Sequence, residues 1–200
     1  EYLFRRHRPN YQRKLLTGRK AVEEKLKNLP RAPRVLHLST HGFYLAKLED
    51  KQLEEEYPLL MSGLALTDAN RGLRGLTDKK GQDGLLYAIE VLGMNLQGTE
   101  LVSLSACQTG KGVTDYSEGG YGLVRAFRTA GAKSILMTLK NVPEKWAKIF
   151  MVQFYETWLK AARPISPADA LHQTRKFFIN HKEEEYRSAK SWSPYVMVGL

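Results

Sequence analysis

Four short runs of apolar residues divide the chain, and none of them alternates strictly between polar and apolar positions. They cover residues 35–39, 101–106, 134–139 and 195–198. Unbroken apolar runs of this length indicate strands that are buried on both faces, whereas half-exposed strands alternate. The pattern therefore predicts a sheet that is covered by other elements on each side.

Helical patterns fill the intervals between these runs. Residues 121–130 end at Gly131, a residue type that commonly follows the last turn of a helix. Pro143 opens a longer segment, and Ser166, followed by Asp169, is a start signal for another helix. Aromatic residues recur at helical spacing in the longer segment, at Trp146, Phe150, Phe154 and Trp158. Because strands that alternate with helices pair in parallel through right-handed crossovers, the predicted fold class is α/β, a mostly parallel sheet with helices on both faces.

Two further stretches carry weaker patterns. Residues 17–28 hold apolar residues at helical spacing before a proline-rich stop, which predicts one short helix. Residues 45–85 are polar and Gly-rich apart from an apolar run at 58–66, so they predict a loop, one short strand and a second loop. The acidic tract 54–56 in the first loop is typical of a solvated surface.

The positive charge is concentrated at the start of the chain. The 200 residues carry a formal charge of +10, and residues 1–34 contain eleven Lys or Arg against three Glu, which leaves +2 for residues 35–200. We call residues 1–34 the basic leader and residues 35–200 the body. Such a leader suits contact with RNA, packing against an acidic neighbour, or exposure to solvent. The sequence favours the solvated or intra-protein role and leaves direct nucleic-acid contact open.

The number of cysteines and the search for membrane or signal segments indicate the compartment in which the protein is expected. A single cysteine permits no internal disulfide, which suits a reducing compartment, so we expect a cytoplasmic protein. No apolar run approaches the ~18 residues of a membrane helix, and the first residues lack the apolar part of a signal peptide. Because the chain begins with Glu rather than Met, we expect it to be part of a longer protein.

The ends of two predicted strands carry the candidate chemistry. The first strand continues into S39-T-H-G42, and the second into S105-A-C-Q-T-G110. Because ligands in such sheets bind beyond the carboxyl ends of strands, we expect His41 and Cys107 to emerge at the same edge. An imidazole beside a thiol lowers the thiol pKa from ~8.5 and can later protonate a leaving amine. The backbone N–H groups of Gly42 and Cys107 are the candidates for holding the oxyanion.

Each of these residues also has a simpler role to be weighed. A lone cysteine in an apolar strand is most often a small buried residue, and the neighbouring His-Gly and turn glycine are what favour catalysis for Cys107. His37 and His41 cannot share one zinc ion, because four residues of strand span about 13 Å. We therefore expect His37 to be packed or hydrogen-bonded in the core. We predict neither a metal nor an organic cofactor.

The loop after Cys107 supplies two acidic residues. Asp115 and Glu118 would select Arg or Lys before the scissile bond if they lined a substrate pocket, because a buried charge requires a partner. Acidic residues also favour helix N-termini, so capping of a helix that starts near Gly120 is the preferred role for Glu118, while the role of Asp115 stays open. The turn does not match a phosphate loop, because Ser105 stands where that pattern needs Gly.

The segments around the two strand ends resemble one protein family. H37-L-S-T-H-G42, L104-S-A-C-Q-T-G110 and the following residues 118–135 look like the CHAT-domain peptidases, caspase-like and separase-like cysteine peptidases that are often fused to TPR arrays. Residues 83–107 and 192–199 are similar to the family as well. The resemblance covers roughly residues 17–200.

The resemblance implies a caspase-like three-layer sandwich, a dyad of His41 and Cys107, and endopeptidase activity on a protein or peptide substrate. It further implies an upstream TPR-like domain or a regulatory partner, for which an RNA-guided complex is one candidate, and a role in bacterial defence. We expect no membrane contact, and we expect weak activity until a partner orders the loops. The alternatives are a catalytically silent binding module whose basic leader contacts RNA or an acidic protein surface, and an amidase or transferase with the same dyad.

Overall fold

The computed structural model describes residues 1–44, 58–105 and 116–199. Within these ranges the strands are β1 (Val35–Leu38), β2 (His41–Tyr44), β3 (Ser62–Ala65), β4 (Leu85–Tyr87), β5 (Leu101–Leu104), β6 (Ser134–Thr138) and β7 (Tyr195–Gly199). The α-helices are α1 (Tyr2–His7), α2 (Glu23–Lys27), α3 (Pro58–Met61), α4 (Ala69–Gly72), α5 (Ala88–Val91), α6 (Tyr116–Thr129), α7 (Glu144–Lys160), α8 (Pro167–Ile179), α9 (Glu184–Arg187) and α10 (Ala189–Trp192). A 3₁₀ turn covers Gly18–Lys20.

The four predicted strands form one sheet, sheet A, in the order β1-β5-β6-β7. Strands β1, β5 and β6 are parallel, whereas β7 runs antiparallel to β6. The direction of β7 follows from the two long helices that precede it. The Trp158 Nε1–H donates to the Ile165 carbonyl at 3.1 Å across the short α7–α8 connection, and Phe150 packs on Phe178 near the other end of the pair. Helices α7 and α8 are therefore antiparallel, and this extra reversal brings the chain back to enter β7 in the opposite direction.

Alternate residues of the central strands point into two separate apolar clusters. Val102 and Leu104 of β5 pack with Phe127 of α6 on one face, while Leu101 packs with Phe150 of α7 on the other. Each face of sheet A is thus covered by helices, because burial of both rows of side chains is the main driving force for this packing. The predicted α/β fold, a caspase-like sandwich of three layers with a mostly parallel sheet, is confirmed.

The basic leader packs against the body near both of its ends, as well as through α2. Phe4 of α1 lies edge-on to Tyr155 of α7, with 5.4 Å between the ring centroids. Near the other end of the leader, the Arg34 Nε–H donates to a Glu100 carboxylate oxygen at 2.6 Å. The helix predicted over residues 17–28 is shorter than expected, because Val22 has an extended backbone and α2 starts only after it.

A second sheet, sheet B, was not predicted. It has the order β2-β3-β4, with both pairings antiparallel. The apolar run at 58–66, expected to be one strand, divides into α3 and β3. The loop expected over residues 45–57, with its acidic tract, lies outside the described residues.

The helix that follows the Cys107 loop is longer than predicted. Helix α6 begins at Tyr116 rather than near Gly120, and it ends at Thr129, close to the predicted stop at Gly131. The later helices agree with the sequence pattern. The Ser166 hydroxyl accepts a hydrogen bond from the Asp169 N–H at 3.0 Å at the start of α8. Among the described residues, no helix is long and apolar enough to cross a membrane.

Candidate functional site

Strands β1 and β5 are direct neighbours, and they leave sheet A at the same edge. They pair in parallel with Leu38 opposite Leu104, and the Ser105 N–H donates to the Leu38 carbonyl at 2.9 Å. His41 follows the end of β1 by three residues, and Cys107 follows Ser105 by two. Cys107 itself lies outside the described residues. The structure therefore shows that the chain segments leading to both residues lie side by side.

His41 does not stand at the end of the first strand, as expected, but at the start of the next one. It opens β2 and pairs with Ala65 of β3. The Thr40 hydroxyl donates to the Ala65 carbonyl and fixes the step from sheet A to sheet B. The His41 side chain is exposed, and no residue in the described ranges hydrogen-bonds to its ring. The backbone of His41 is thus held by sheet B, while no residue of the described ranges occupies either ring nitrogen.

The packing of sheet B fixes the backbone of His41 and Gly42. Gly42 pairs with Leu64, which is fully buried, and Phe43 lies edge-on to Tyr87 with 5.4 Å between ring centroids. A Cβ atom on Gly63 would lie 2.6 Å from the Leu86 carbonyl oxygen and 2.4 Å from the Phe43 ring, so the strands approach closely only because this residue is glycine. The close packing of the strands in sheet B therefore fixes the backbone position of His41 and Gly42.

His37 is hydrogen-bonded, as predicted, although it does not lie in the core. Its Nδ1 and the Tyr155 hydroxyl are 3.0 Å apart, and part of its ring reaches solvent. Loss of hydration beside the neighbouring residues lowers the pKa of His37 below its usual value, and the positive chain terminus acts in the same direction. Burial raises the pKa of Tyr155 far above its usual value. Both shifts favour the neutral forms, and the contact between the two side chains joins β1 to α7.

The remaining predicted site residues are described only in part. Asp115 and the second proposed oxyanion donor, the Cys107 N–H, lie outside the described residues. Glu118 lies in the first turn of α6, two residues after its start, and not before a helix beginning near Gly120. Within the described ranges, no three His, Cys, Asp or Glu side chains are grouped as a metal site would require.

A charged network that ties the leader to sheet B was missed by the sequence analysis. Glu23 of α2, 3% exposed, accepts the Gly84 N–H at 3.2 Å and pairs with Lys27. Lys27 also pairs with Glu90, whose carboxylate accepts the Tyr87 N–H at 2.9 Å. Burial opposes the charge on Lys27, but the hydrogen bonds to the two carboxylates outweigh it and raise the Lys27 pKa. The one available signal was Glu90 three residues after Tyr87, the spacing of a helix capping box.

Comparison with known proteins places these features in context. The family model described as the CHAT domain matches residues 3–200. Tetratricopeptide repeat protein 28 of Homo sapiens is 30% identical over 121 residues, which are 59% of this chain and 4% of that protein. Tetratricopeptide repeat protein 28 of Mus musculus is 30% identical over 118 residues, 58% of this chain and 4% of that protein. The chain thus matches a small part of much longer relatives.

Proposed function

We propose that this chain, which belongs to the CHAT domain family, is a cysteine endopeptidase that uses His41 and Cys107 on a protein substrate. The family is related to caspase-like peptidases. Our proposal is that this member catalyses peptide-bond cleavage itself. The observation that carries the proposal is the pairing of β1 with β5 and the Ser105–Leu38 hydrogen bond, which start both chain segments at one edge. The exposed ring of His41, with no partner among the described residues, supports it.

In the proposed reaction His41 takes the proton of the Cys107 thiol, and the thiolate attacks the carbonyl carbon of the scissile peptide bond. The resulting oxyanion accepts hydrogen bonds from the Gly42 and Cys107 N–H groups. When the C–N bond breaks, protonated His41 delivers its proton to the leaving amine, which leaves a thioester on Cys107. Water, deprotonated by His41, then attacks the thioester carbonyl. The C–S bond breaks and releases the second product as a carboxylic acid, and protonated His41 returns its proton to the Cys107 sulfur.

Asp115 and Glu118 are the proposed determinants of substrate choice. Each carboxylate would favour Arg or Lys immediately before the scissile bond, because a charge in a partly closed pocket needs an opposite charge. The start of α6 at Tyr116 brings Glu118 into the first helical turn, where an acidic residue also interacts favourably with the helix dipole. Substitution of each residue separates the two roles: a pocket residue alters substrate preference, whereas a helix-terminal residue alters stability.

We propose that a partner controls the reaction. The two relatives are named for tetratricopeptide repeats, which supports a TPR-like domain joined to this one in the full protein. A regulatory partner, including an RNA-guided complex, would act by ordering the loops around Cys107. A reducing compartment such as the cytoplasm suits the single free thiol.

Covalent labelling tests the proposal without knowledge of the substrate. Peptidyl acyloxymethyl ketones that differ only in the residue before the electrophile, Arg, Asp or Leu, are incubated with the chain, and adducts are mapped by mass spectrometry. We expect one adduct, on Cys107, with the Arg probe preferred, and a rate at least ~100-fold lower in His41→Ala. His172→Ala, an exposed histidine on α8, is the matched control and should label at the normal rate. Equal labelling of His41→Ala and the unmodified chain rejects the dyad.

A further inference from the structure

Residues 66–84 form a closed excursion between β3 and β4, which we call the 66–84 platform. The Leu66 N–H donates to the Gly84 carbonyl at 2.7 Å and closes its base. Helix α4 forms the first part of the excursion, and the remainder turns back through Asp78, whose N–H donates to the Gln82 carbonyl at 2.8 Å. Compact excursions with joined ends are frequently functional.

Hydrogen bonds to the leader hold the platform in place. The Thr67 N–H donates to the Ala21 carbonyl at 3.1 Å, and the Thr67 hydroxyl donates to the Gly18 carbonyl at 2.7 Å. The Lys80 ammonium donates to both oxygens of Glu24 of α2, at 2.8 and 2.9 Å. A partner that bound here would meet a surface already ordered, which reduces the entropy cost of binding.

The platform exposes two leucines. Leu73 is 62% exposed and Leu76 is 53% exposed, and neither belongs to the two apolar clusters of the described residues. Gly75, between them, has a φ of +73°, a conformation that favours glycine and produces the turn at which both leucines are presented. Apolar side chains that are exposed close together on a fixed turn offer a contact area to another molecule.

Basic residues exceed acidic residues on the platform and the adjoining 3₁₀ turn. Six Lys or Arg residues stand against four carboxylates there, counting Glu24, which pairs with Lys80. The carboxylate of Asp78 accepts the N–H groups of Lys80 and Gln82 at 2.8 and 2.9 Å. Arg74 and Lys79 are exposed and form no ion pair with any described residue. The hydrogen bond from the Thr67 hydroxyl to the Gly18 carbonyl holds the turn, with its exposed Arg19 and Lys20, against the start of the platform.

We propose that the 66–84 platform is a docking surface for an acidic segment of a partner protein that also carries apolar side chains. The basic residues attract the acidic groups, and the leucines gain burial from apolar side chains. A nucleic acid is the less suitable ligand, because its affinity comes mainly from phosphate contacts, which exposed leucines do not make. The proposal does not depend on the dyad, and it identifies which face a regulatory protein would contact.

A displayed library of random 12-residue peptides, selected on the unmodified chain, tests this proposal. We expect selected peptides to be rich in Asp and Glu with interspersed Leu, Ile or Phe. Their affinity should fall about tenfold or more in Leu73→Ala/Leu76→Ala and in Arg74→Glu/Lys79→Glu. The matched control is Lys148→Glu/Val152→Ala, which changes an exposed cation and an exposed apolar residue on α7 and should bind normally. Thermal unfolding of every variant confirms that the exposed substitutions leave the fold intact.

Three results would overturn the proposal. One is a selection without acidic and apolar enrichment, and another is binding that the platform variants do not weaken. The third is a 20-nucleotide single-stranded RNA that binds more tightly than the selected peptides and loses that affinity in Arg74→Glu/Lys79→Glu, since this would identify a nucleic-acid surface. Because these experiments measure binding and not turnover, they can fail while the labelling of Cys107 succeeds, and the reverse.

Discussion

Sheet A and sheet B share one apolar cluster but differ in what else supports them, and the difference explains which of them the sequence reveals. The central strands of sheet A, β5 and β6, are buried between two apolar clusters, and all four of its strands follow short, mainly apolar runs. Sheet B has strands of only three or four residues that add Leu64 and Leu86 to one of these clusters, and it depends in addition on the fit at Gly63 and on the Glu23–Lys27–Glu90 network. Burial leaves a clear sequence pattern, whereas a close fit and ion pairs between distant residues leave almost none. The candidate histidine lies in sheet B, whereas the candidate cysteine follows a strand of sheet A along the chain.

Truncation of a core aromatic should have the largest effect and should destabilise the whole fold. Phe150 of α7 is fully buried and stacks on Tyr195 of β7 with 3.6 Å between ring centroids. Phe150→Ala should lower the free energy of unfolding by about 3–5 kcal/mol, measured by urea denaturation. Val152→Ala, exposed on the same helix, is the control and should cost less than about 1 kcal/mol. A Phe150 effect no larger than the control would show that the α7 cluster does not stabilise sheet A.

A smaller and more local effect is expected at Gly63. Gly63→Ala forces β3 away from Leu86 or Phe43, and overpacking of this kind costs about 1–3 kcal/mol. Hydrogen exchange should accelerate at amides of β2, β3 and β4 while the amides of β5 and β6 stay protected. Labelling of Cys107 by the peptidyl probe should slow as well, because His41 loses its support. Uniform acceleration across both sheets would contradict a local role for the fit at Gly63.

The link between the leader and sheet B should contribute no more than the fit at Gly63. Lys27→Met leaves Glu23 buried without its cation and should cost about 1–3 kcal/mol, whereas Lys27→Met combined with Glu23→Gln should recover part of that loss. Because the folded pKa of Lys27 is raised, its contribution is fully present below the unfolded pKa of ~10.4 and disappears as the pH rises through the higher folded value. The difference in the free energy of unfolding between the unmodified chain and Lys27→Met should therefore be constant from pH 7 to 9 and shrink above about pH 10.5. A difference that grew in that alkaline range would contradict the ion-pair account.

The parts of the fold that could be predicted are those encoded locally. The apolar runs of β1, β5, β6 and β7, the aromatic spacing of α7 and the cap at Ser166 all depend on neighbouring residues, and all are present. The direction of β7 and the existence of sheet B could not be predicted, because they depend on the α7–α8 reversal and on pairing between segments far apart in sequence. The break at Val22 depends on the burial of Glu23, which no sequence pattern announces for a charged residue.

The candidate site, like the fold, could be predicted from the sequence only in part. That His41 and Cys107 follow strands of one sheet could be inferred from the runs before them, and the pairing of β1 with β5 agrees. The position of His41 on a strand of sheet B could not be inferred, because it is set by the Thr40–Ala65 hydrogen bond and by pairing with β3. The contact between His41 and Cys107, and the roles of Asp115 and Glu118, stay predictions.

The pH dependence of thiol alkylation tests the dyad most directly. The rate at which iodoacetamide modifies Cys107 is measured from pH 5 to 10 in the unmodified chain, in His41→Ala and in the control His172→Ala. If His41 lies beside Cys107, the midpoint for the unmodified chain and the control lies well below the ordinary thiol pKa of ~8.5, and His41→Ala moves it to about that value. Identical midpoints near 8.5 in all three proteins would contradict the account.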